Sequence, residues 1–171
     1  MSRRCWFLSW VLVGLISVGA TAQPLSGIYT IGSGGNYSTL TAAVSDLLSR
    51  GVNSPVTFRL RTGTFNEQVI IGAVAGASAT NTITFEAETG NPDDAVLTFS
   101  ATAAGTNYMI RLDNAGFLIF RNLTLQPVGS SFNRAVQGVN ALNNITFENL
   151  RITLPTTTSI TEDRAGILLR P

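Results

Sequence analysis

The carboxylates of this chain are its first candidates for chemistry, because two neighbouring acidic side chains can share general acid and base roles. Glu86 and Glu88 stand two residues apart in an alternating apolar segment, so on a strand they would face one side about 7 Å apart. Asp93 and Asp94 form a second close pair. The sequence contains no histidine, the commonest general base and metal ligand, and no further feature supports catalysis at either pair. We therefore predict no catalytic residue, no metal site and no cofactor.

A repeat of 27 residues, without insertions, determines where these side chains would lie. One column of the repeat contains apolar residues at every copy: Ile31, Phe58, Phe85, Leu112 and Val139. A fixed period of this length is typical of one supersecondary unit stacked on copies of itself. We expect Phe58, Phe85, Leu112 and Val139 to stack inward as neighbours on one parallel sheet.

The content of each repeat indicates which solenoid it forms. Apolar and polar residues alternate within it, as in residues 56–60 (VTFRL) and 83–87 (ITFEA), the pattern of a half-buried strand. Each copy holds two or three short strands and no helical stretch. This predicts an all-β fold, a parallel β-helix with about 27 residues per coil and about 4.8 Å between coils.

Residues 39–50 form the one helical segment of the predicted domain. Ser38 is the expected N-cap and Gly51 the expected C-terminal stop. The apolar stripe consists of Leu40, Ala43, Val44, Leu47 and Leu48. Because a solenoid must cover its open first coil, we predict that this amphipathic helix caps the N-terminal end.

The N-terminus has the features of an export signal. Arg3 and Arg4 precede an apolar run at residues 6–18, and residues 20–22 (ATA) fit a cleavage site. We predict a signal peptide at 1–22, a first strand and capping helix at 23–54, and coils at 55–171. The apolar run is short for a membrane span, so we expect a secreted or cell-surface bacterial protein with no span after signal removal.

Charge and cysteine content exclude nucleic-acid binding and disulfide or thiol chemistry. Without Arg3 and Arg4, nine basic residues remain against 10 acidic ones, which leaves no electrostatic footprint for nucleic acid. The single cysteine, Cys5, lies within the predicted signal, so the mature chain would have neither disulfide nor thiol chemistry.

Several motifs resemble the N-terminal part of pectin methylesterases, within the wider pectate-lyase-like superfamily. Residues 35–40 (GNYSTL) are followed by 63–69 (GTFNEQV), and residues 120–125 (FRNLTL) match the next piece of that pattern. The resemblance covers roughly residues 28–152. It implies a right-handed parallel β-helix related to carbohydrate-processing proteins.

The catalytic residues of that family have no counterpart in this sequence. The family has Gln before an Ala-Val pair, where this chain has Arg134 before Ala135 and Val136. Its two catalytic aspartates lie in later motifs, whereas residues 150–157 (LRITLPTT) contain no aspartate. The resemblance therefore implies that this segment lacks a complete active site. Carbohydrate-active lyase, esterase or hydrolase activity would require catalytic coils beyond Pro171.

Four charged residues form the candidate binding set. Arg59, Glu86, Arg111 and Asp113 would lie on the outward face of the first sheet, where they could contact the hydroxyls or carboxylates of a polysaccharide. The alternative is structural: opposite charges on adjacent coils lie about 5 Å apart and pair across the ladder. The sequence favours the structural interpretation, because such pairs are common on strands.

Asn122 and Asn149 recur at the same place in two repeats. We predict that they form a ladder at the bend between two strands, because asparagine tolerates left-handed backbone geometry and its amide can bond from coil to coil.

Two functions remain open: a polysaccharide-binding scaffold related to pectin-lyase-like proteins, and a non-catalytic cell-surface or adhesive module.

A new coil begins near residues 165–169 (AGILL), and no C-terminal cap follows. We therefore expect the chain to be truncated and to self-associate through its open C-terminal coil.

Overall fold

The computed structural model describes residues 22–156 and 162–170. The predicted signal peptide therefore lies, except for Ala22, outside the described residues. In the described part of the chain no helix is long and apolar enough to span a membrane. The strands are β1 (Leu25–Ile31), β2 (Val52–Leu60), β3 (Gly63–Asn66), β4 (Val69–Ile71), β5 (Ile83–Ala87), β6 (Ala95–Phe99), β7 (Ile110–Asp113), β8 (Gly116–Arg121), β9 (Thr124–Pro127), β10 (Val136–Val139), β11 (Asn143–Glu148), β12 (Arg151–Ile152) and β13 (Ile167–Leu169). The helices are α1 (Leu40–Arg50) and two 3-10 turns, Ala104–Thr106 and Glu162–Arg164.

The strands form three sheets in which every pair of strands is parallel. The first sheet has the order β1-β2-β5-β8-β11, the second β3-β6-β9-β12, and the third β4-β7-β10-β13. From β2 onward, successive strands of the chain thus enter the three sheets in rotation, and each full turn stacks on the one before. The predicted parallel β-helix is confirmed.

The predicted inward column is wrong at its centre. Phe58 pairs with Phe85, 27 residues on, but Phe85 pairs with Phe120, 35 residues on. Leu112 lies on β7 in the third sheet, and its equivalent on β10 is Gly138 rather than Val139. The 27-residue spacing returns between Phe120 and Phe147.

Connections of unequal length account for the error. Residues 88–94 and 100–109 join the strands of the second coil, whereas only residues 122–123 join β8 to β9. Strand pairing fixes the register within a sheet, but connections on the surface can lengthen without altering it. The period therefore shifts while the stacking continues.

A row of stacked rings runs through the core beneath the first sheet. Its four members are Phe58, Phe85, Phe120 and Phe147, one from each successive strand. Their ring centroids lie 5.0, 5.3 and 5.7 Å apart along the row. Offset stacking at this spacing adds to the burial of apolar area.

Helix α1 packs beside the first coil, against β1 and β4. Its N-cap is Thr39 and not Ser38, because the Thr39 hydroxyl accepts the N–H of Ala42 at 3.1 Å. Gly51 ends the helix with φ 65°. The buried stripe is Leu40, Ala43, Val44 and Leu47, all part of the core, whereas Leu48 is exposed.

Glu67, which follows β3, forms hydrogen bonds with the first turn of α1. Both carboxylate oxygens of Glu67 accept backbone N–H groups of the first turn, from Leu40 at 2.9 Å and Thr41 at 2.8 Å. A negative charge at this end also interacts favourably with the helix dipole. After the helix, β2 begins at Val52.

Candidate functional site

A row of alternating charges lies on the outward face of the first sheet. The register aligns Arg59 on β2 with Glu86 on β5, Arg121 on β8 and Glu148 on β11. Arg59 donates its Nε–H to Glu86 Oε1 at 2.9 Å. Arg121 approaches the other oxygen, Oε2, through both Nε and Nη2 at 2.7 Å. We call Arg59, Glu86 and Arg121 the charge row.

The middle of the charge row is buried and its ends are exposed. The Glu86 side chain is 9% exposed, whereas Arg59 and Arg121 are 41% and 42% exposed. One carboxylate thus holds two guanidinium groups in place, and these three residues together carry one positive charge, which the exposed Glu148 aligned beside Arg121 balances. Each guanidinium has five N–H groups, and Glu86 engages only some of them, so the others can bind a carboxylate from solution.

The predicted binding set divides into two separate pairs. Arg59 and Glu86 lie together on the first sheet, but Arg111 and Asp113 lie on β7 in the third sheet. There Arg111 Nη2 donates to Asp113 Oδ2 at 3.0 Å. The prediction that all four share one face is therefore wrong, because it depended on the uniform 27-residue period.

Asp113 is held by three neighbours, one of which is Asn114, whose side-chain amide donates to Asp113 Oδ1 at 3.3 Å. Asn140 donates its side-chain amide to Asp113 Oδ1 at 2.7 Å, while Arg111 occupies Oδ2. The hydrogen bond from Asn140 is the main cause that holds the pKa of the Asp113 carboxyl below its ordinary value, and the bond and charge of Arg111 act in the same direction.

The other acidic residues of the two candidate pairs, Glu88, Asp93 and Asp94, are engaged in contacts with neighbouring side chains. Glu88 lies 3.8 Å from Arg61, and Asp93 forms an ion pair with Arg151 at 2.6 Å. Asp94 accepts the Thr89 hydroxyl at 2.7 Å within the turn that follows β5. Among the residues described, no three His, Cys, Asp or Glu side chains cluster closely enough to hold a metal ion.

Asn122 and Asn149 occupy equivalent bends in adjacent coils. Their φ angles are 55° and 46°, in the left-handed region. The Asn149 amide donates to Asn122 Oδ1 at 2.8 Å, so one rung links the two coils. Their geometry is structural: the bend requires the backbone conformation, and the side chains hold the bends together.

Arg121 is the member of the charge row that the sequence interpretation missed. A signal for it exists, because every ring of the inward Phe row is followed by a charge: Phe58-Arg59, Phe85-Glu86, Phe120-Arg121 and Phe147-Glu148. Aligning the coils on this dipeptide, with a gap between the second and third, gives the observed register. A search for one unbroken period cannot find it.

No family model matches the chain, and no curated protein matches it significantly. Among solved structures, the chain is similar to the pectin methylesterase from Aspergillus niger, in its deglycosylated crystal form, with a TM-score of 0.52 and 18% sequence identity. The match covers 77% of this chain and 51% of that enzyme, so the chain spans about half of its length. The two proteins share the parallel β-helix fold.

Proposed function

We propose that this chain is an exported β-helix scaffold that binds acidic polysaccharide on its first sheet, without a complete active site of its own. The charge row is the observation that carries the proposal. It presents two fixed arginines on one face of a parallel sheet, and the fold is shared with a pectin methylesterase.

The geometry of the charge row suits a repeating polyanion. Arg59 and Arg121 lie two strands apart, which corresponds to about 10 Å along the solenoid axis. Because Glu86 already fixes both side chains, little side-chain entropy is lost when a ligand binds. Arginine pairs with carboxylates through two parallel N–H···O bonds, so uronate units are the ligand class that fits.

Titration calorimetry with polygalacturonate tests the proposal. Arg59→Gln and Arg121→Gln each remove one guanidinium and leave Glu86 its other partner, so the fold should survive. We expect each to weaken binding about tenfold, the effect of losing one charge-assisted hydrogen bond. The matched control is Arg111→Gln, which removes the same charge from the third sheet and should leave affinity unchanged.

Three results would contradict the proposal. Equal binding by the Arg59→Gln, Arg121→Gln and unmodified proteins would show that the charge row is not the site. No binding by the unmodified protein would favour the alternative, a structural module of the cell surface. Turnover of a pectin substrate by this chain would contradict the absence of an active site.

A further inference from the structure

A groove lies at the bend where the chain passes from the third sheet to the first. The connection from β4 to β5 runs through residues 72–82, whereas residues 114–115 suffice from β7 to β8 and residues 140–142 from β10 to β11. This long loop forms one wall. Two adjoining depressions of about 260 and 220 Å³ lie between it and the bends of the later coils, and Phe117 lines both.

The loop wall is held in place by the first coil. Val52 donates its backbone N–H to Ala75 O at 2.8 Å. Gly76, at φ 81°, lies so close to Val52 O that no Cβ would fit there. Asn81 adds a side-chain bond to Gly76 O at 3.1 Å. The groove is thus formed before any ligand arrives, which lowers the entropic cost of binding.

Phe117 has an unfavourable backbone conformation. Among the described residues, six other than glycine have positive φ, and five of them are asparagines. The sixth is Phe117, at φ 58°. Asn144 occupies the equivalent place in the next coil, at φ 52°, since Gly116 pairs with Asn143 and Leu118 with Ile145. The left-handed conformation is unusual for a bulky side chain, and such strain concentrates at functional sites.

Packing does not explain the choice of phenylalanine. Phe117 is half-buried, yet it belongs neither to the buried core nor to the partly buried side chains packed against it. Its ring stacks on no other aromatic ring of the described chain. An aromatic ring in a preformed groove, at a position where asparagine would be relaxed, indicates a role in binding.

The lining of the groove identifies the chemistry of its ligand. No charged residue lines either depression, and the polar groups are amides and hydroxyls: Asn114, Asn143, Asn144, Thr82 and Thr146. Asn144 donates to Asn143 Oδ1 at 2.8 Å, which orients both amides and leaves Asn143 Nδ2 and Asn144 Oδ1 available. A pyranose ring matches this set, because its C–H face packs on an aromatic face while its hydroxyls exchange hydrogen bonds with amides.

We infer that Phe117 is a stacking platform for a sugar ring and that this groove continues the proposed polysaccharide site. The inference rests on the proposed function. Phe117 and Arg121 lie on β8 four residues apart, about 13 Å along the strand, and outward-facing Ile119 lies between them. A polymer that follows β8 would pair with Arg121 and stack on Phe117.

The variant Phe117→Asn separates binding from stability. It places at residue 117 the side chain that Asn144 shows to be compatible with this bend. We expect the midpoint of thermal unfolding to rise, because strain is relieved, and the affinity for polygalacturonate to fall about tenfold. Phe117→Tyr keeps the ring, so it should bind within about twofold of the unmodified protein.

A fluorescent variant reports on the groove directly. Both tryptophans of the sequence lie before residue 22, so mature Phe117→Trp protein would contain a single indole. Its emission should shift to shorter wavelength when polygalacturonate covers the ring.

The outcomes distinguish this inference from the proposed function. If the unmodified protein and Phe117→Asn bind polygalacturonate with equal affinity, the stacking role alone is overturned. The same holds if the emission of Phe117→Trp does not change at saturation. A lower unfolding midpoint or failure to fold in Phe117→Asn would show that the ring is structural. No binding by the unmodified protein would overturn the proposed function, and this inference with it.

Discussion

At the scale of single residues, the role of each charge depends on the side chain that faces it from the next coil. Glu86 lies between two arginines and serves as their anchor, whereas Asp113 contacts Arg111 on its own strand and Asn140 in the bend that follows β10. Two acidic residues of similar sequence context thus have different partners. One supports the exposed charge row, and the other completes a local pair on a different sheet.

The pKa of Asp113 should respond to Asn140. Asn140→Gly keeps the left-handed bend at φ 58° and removes the amide, so the pKa of Asp113 should rise toward the ordinary value of about 3.9. A lowered folded-state pKa stabilises the protein above the unfolded value, and this contribution is lost as pH falls through the folded value. The free energy of unfolding of the variant should therefore fall less than that of the unmodified protein as pH decreases through the pKa of Asp113. Carbon-detected NMR titration measures the change.

Asn149→Gly is the control for this measurement, because it removes an amide from a similar bend far from Asp113 in the sequence and bonded to Asn122 instead. An Asp113 pKa that is the same in Asn140→Gly and in the unmodified protein would contradict the assigned cause.

At the scale of elements, short strands are joined by bends in which asparagine fixes the backbone. Asn114, Asn122, Asn140, Asn144 and Asn149 all have left-handed φ. The strands themselves are only two to nine residues long, so much of the precision of stacking depends on where each bend turns. The Asn122–Asn149 rung couples two such bends across the solenoid.

Two substitutions at Asn122 separate the backbone effect from the hydrogen bond. Asn122→Gly loses the bond to Asn149 but accepts φ 55°, and we expect a loss of about 1 kcal/mol of unfolding free energy. Asn122→Ala loses the bond and also places alanine, which tolerates the left-handed region less well than asparagine or glycine, at φ 55°, for about 2 kcal/mol or more. Urea unfolding measures both. Equal losses in the two variants would show that the backbone conformation contributes nothing.

At the scale of the whole molecule, the last strand of each sheet among the described residues is less well covered than those before it. Phe120 on β8 is 3% exposed, whereas its stacked neighbour Phe147 on β11 is only half-buried. β11, β12 and β13 each pair on one side alone in the described structure. Such edges offer N–H and C=O groups, together with apolar side chains, to another chain.

We expect the purified chain to self-associate through this edge. Ile145→Lys places a charge on the inward side of β11, a device by which natural sheets block edge pairing, so it should reduce association. Light scattering over a range of concentrations measures the effect. Thr57→Lys, on the covered strand β2, is the control and should change nothing. A monomer at every concentration of the unmodified protein would contradict the expectation.

The sequence by itself determined the class of fold, the strand pattern, the end of the helix and the residues at the bends. Alternation in segments such as residues 56–60, the glycine stop at Gly51 and the asparagines at bends are each encoded within a few neighbouring residues. Strand, helix end and left-handed bend depend on local sterics and side-chain period, which a single sequence displays. For this reason a parallel β-helix could be predicted, together with the region of its helix and the bend ladder of Asn122 and Asn149.

Only the tertiary structure decided which coils face each other. The connections of the second coil carry no repeating pattern, and their length moves Arg121, rather than Asp113, opposite Glu86. It also places Phe117 beside a loop that lies more than thirty residues earlier in the chain. Contacts between coils depend on the summed length of these connections, and the free energy of loop closure changes only slowly with that length. Sequence periodicity therefore predicts that coils stack, while the structure alone identifies the neighbours that form a site.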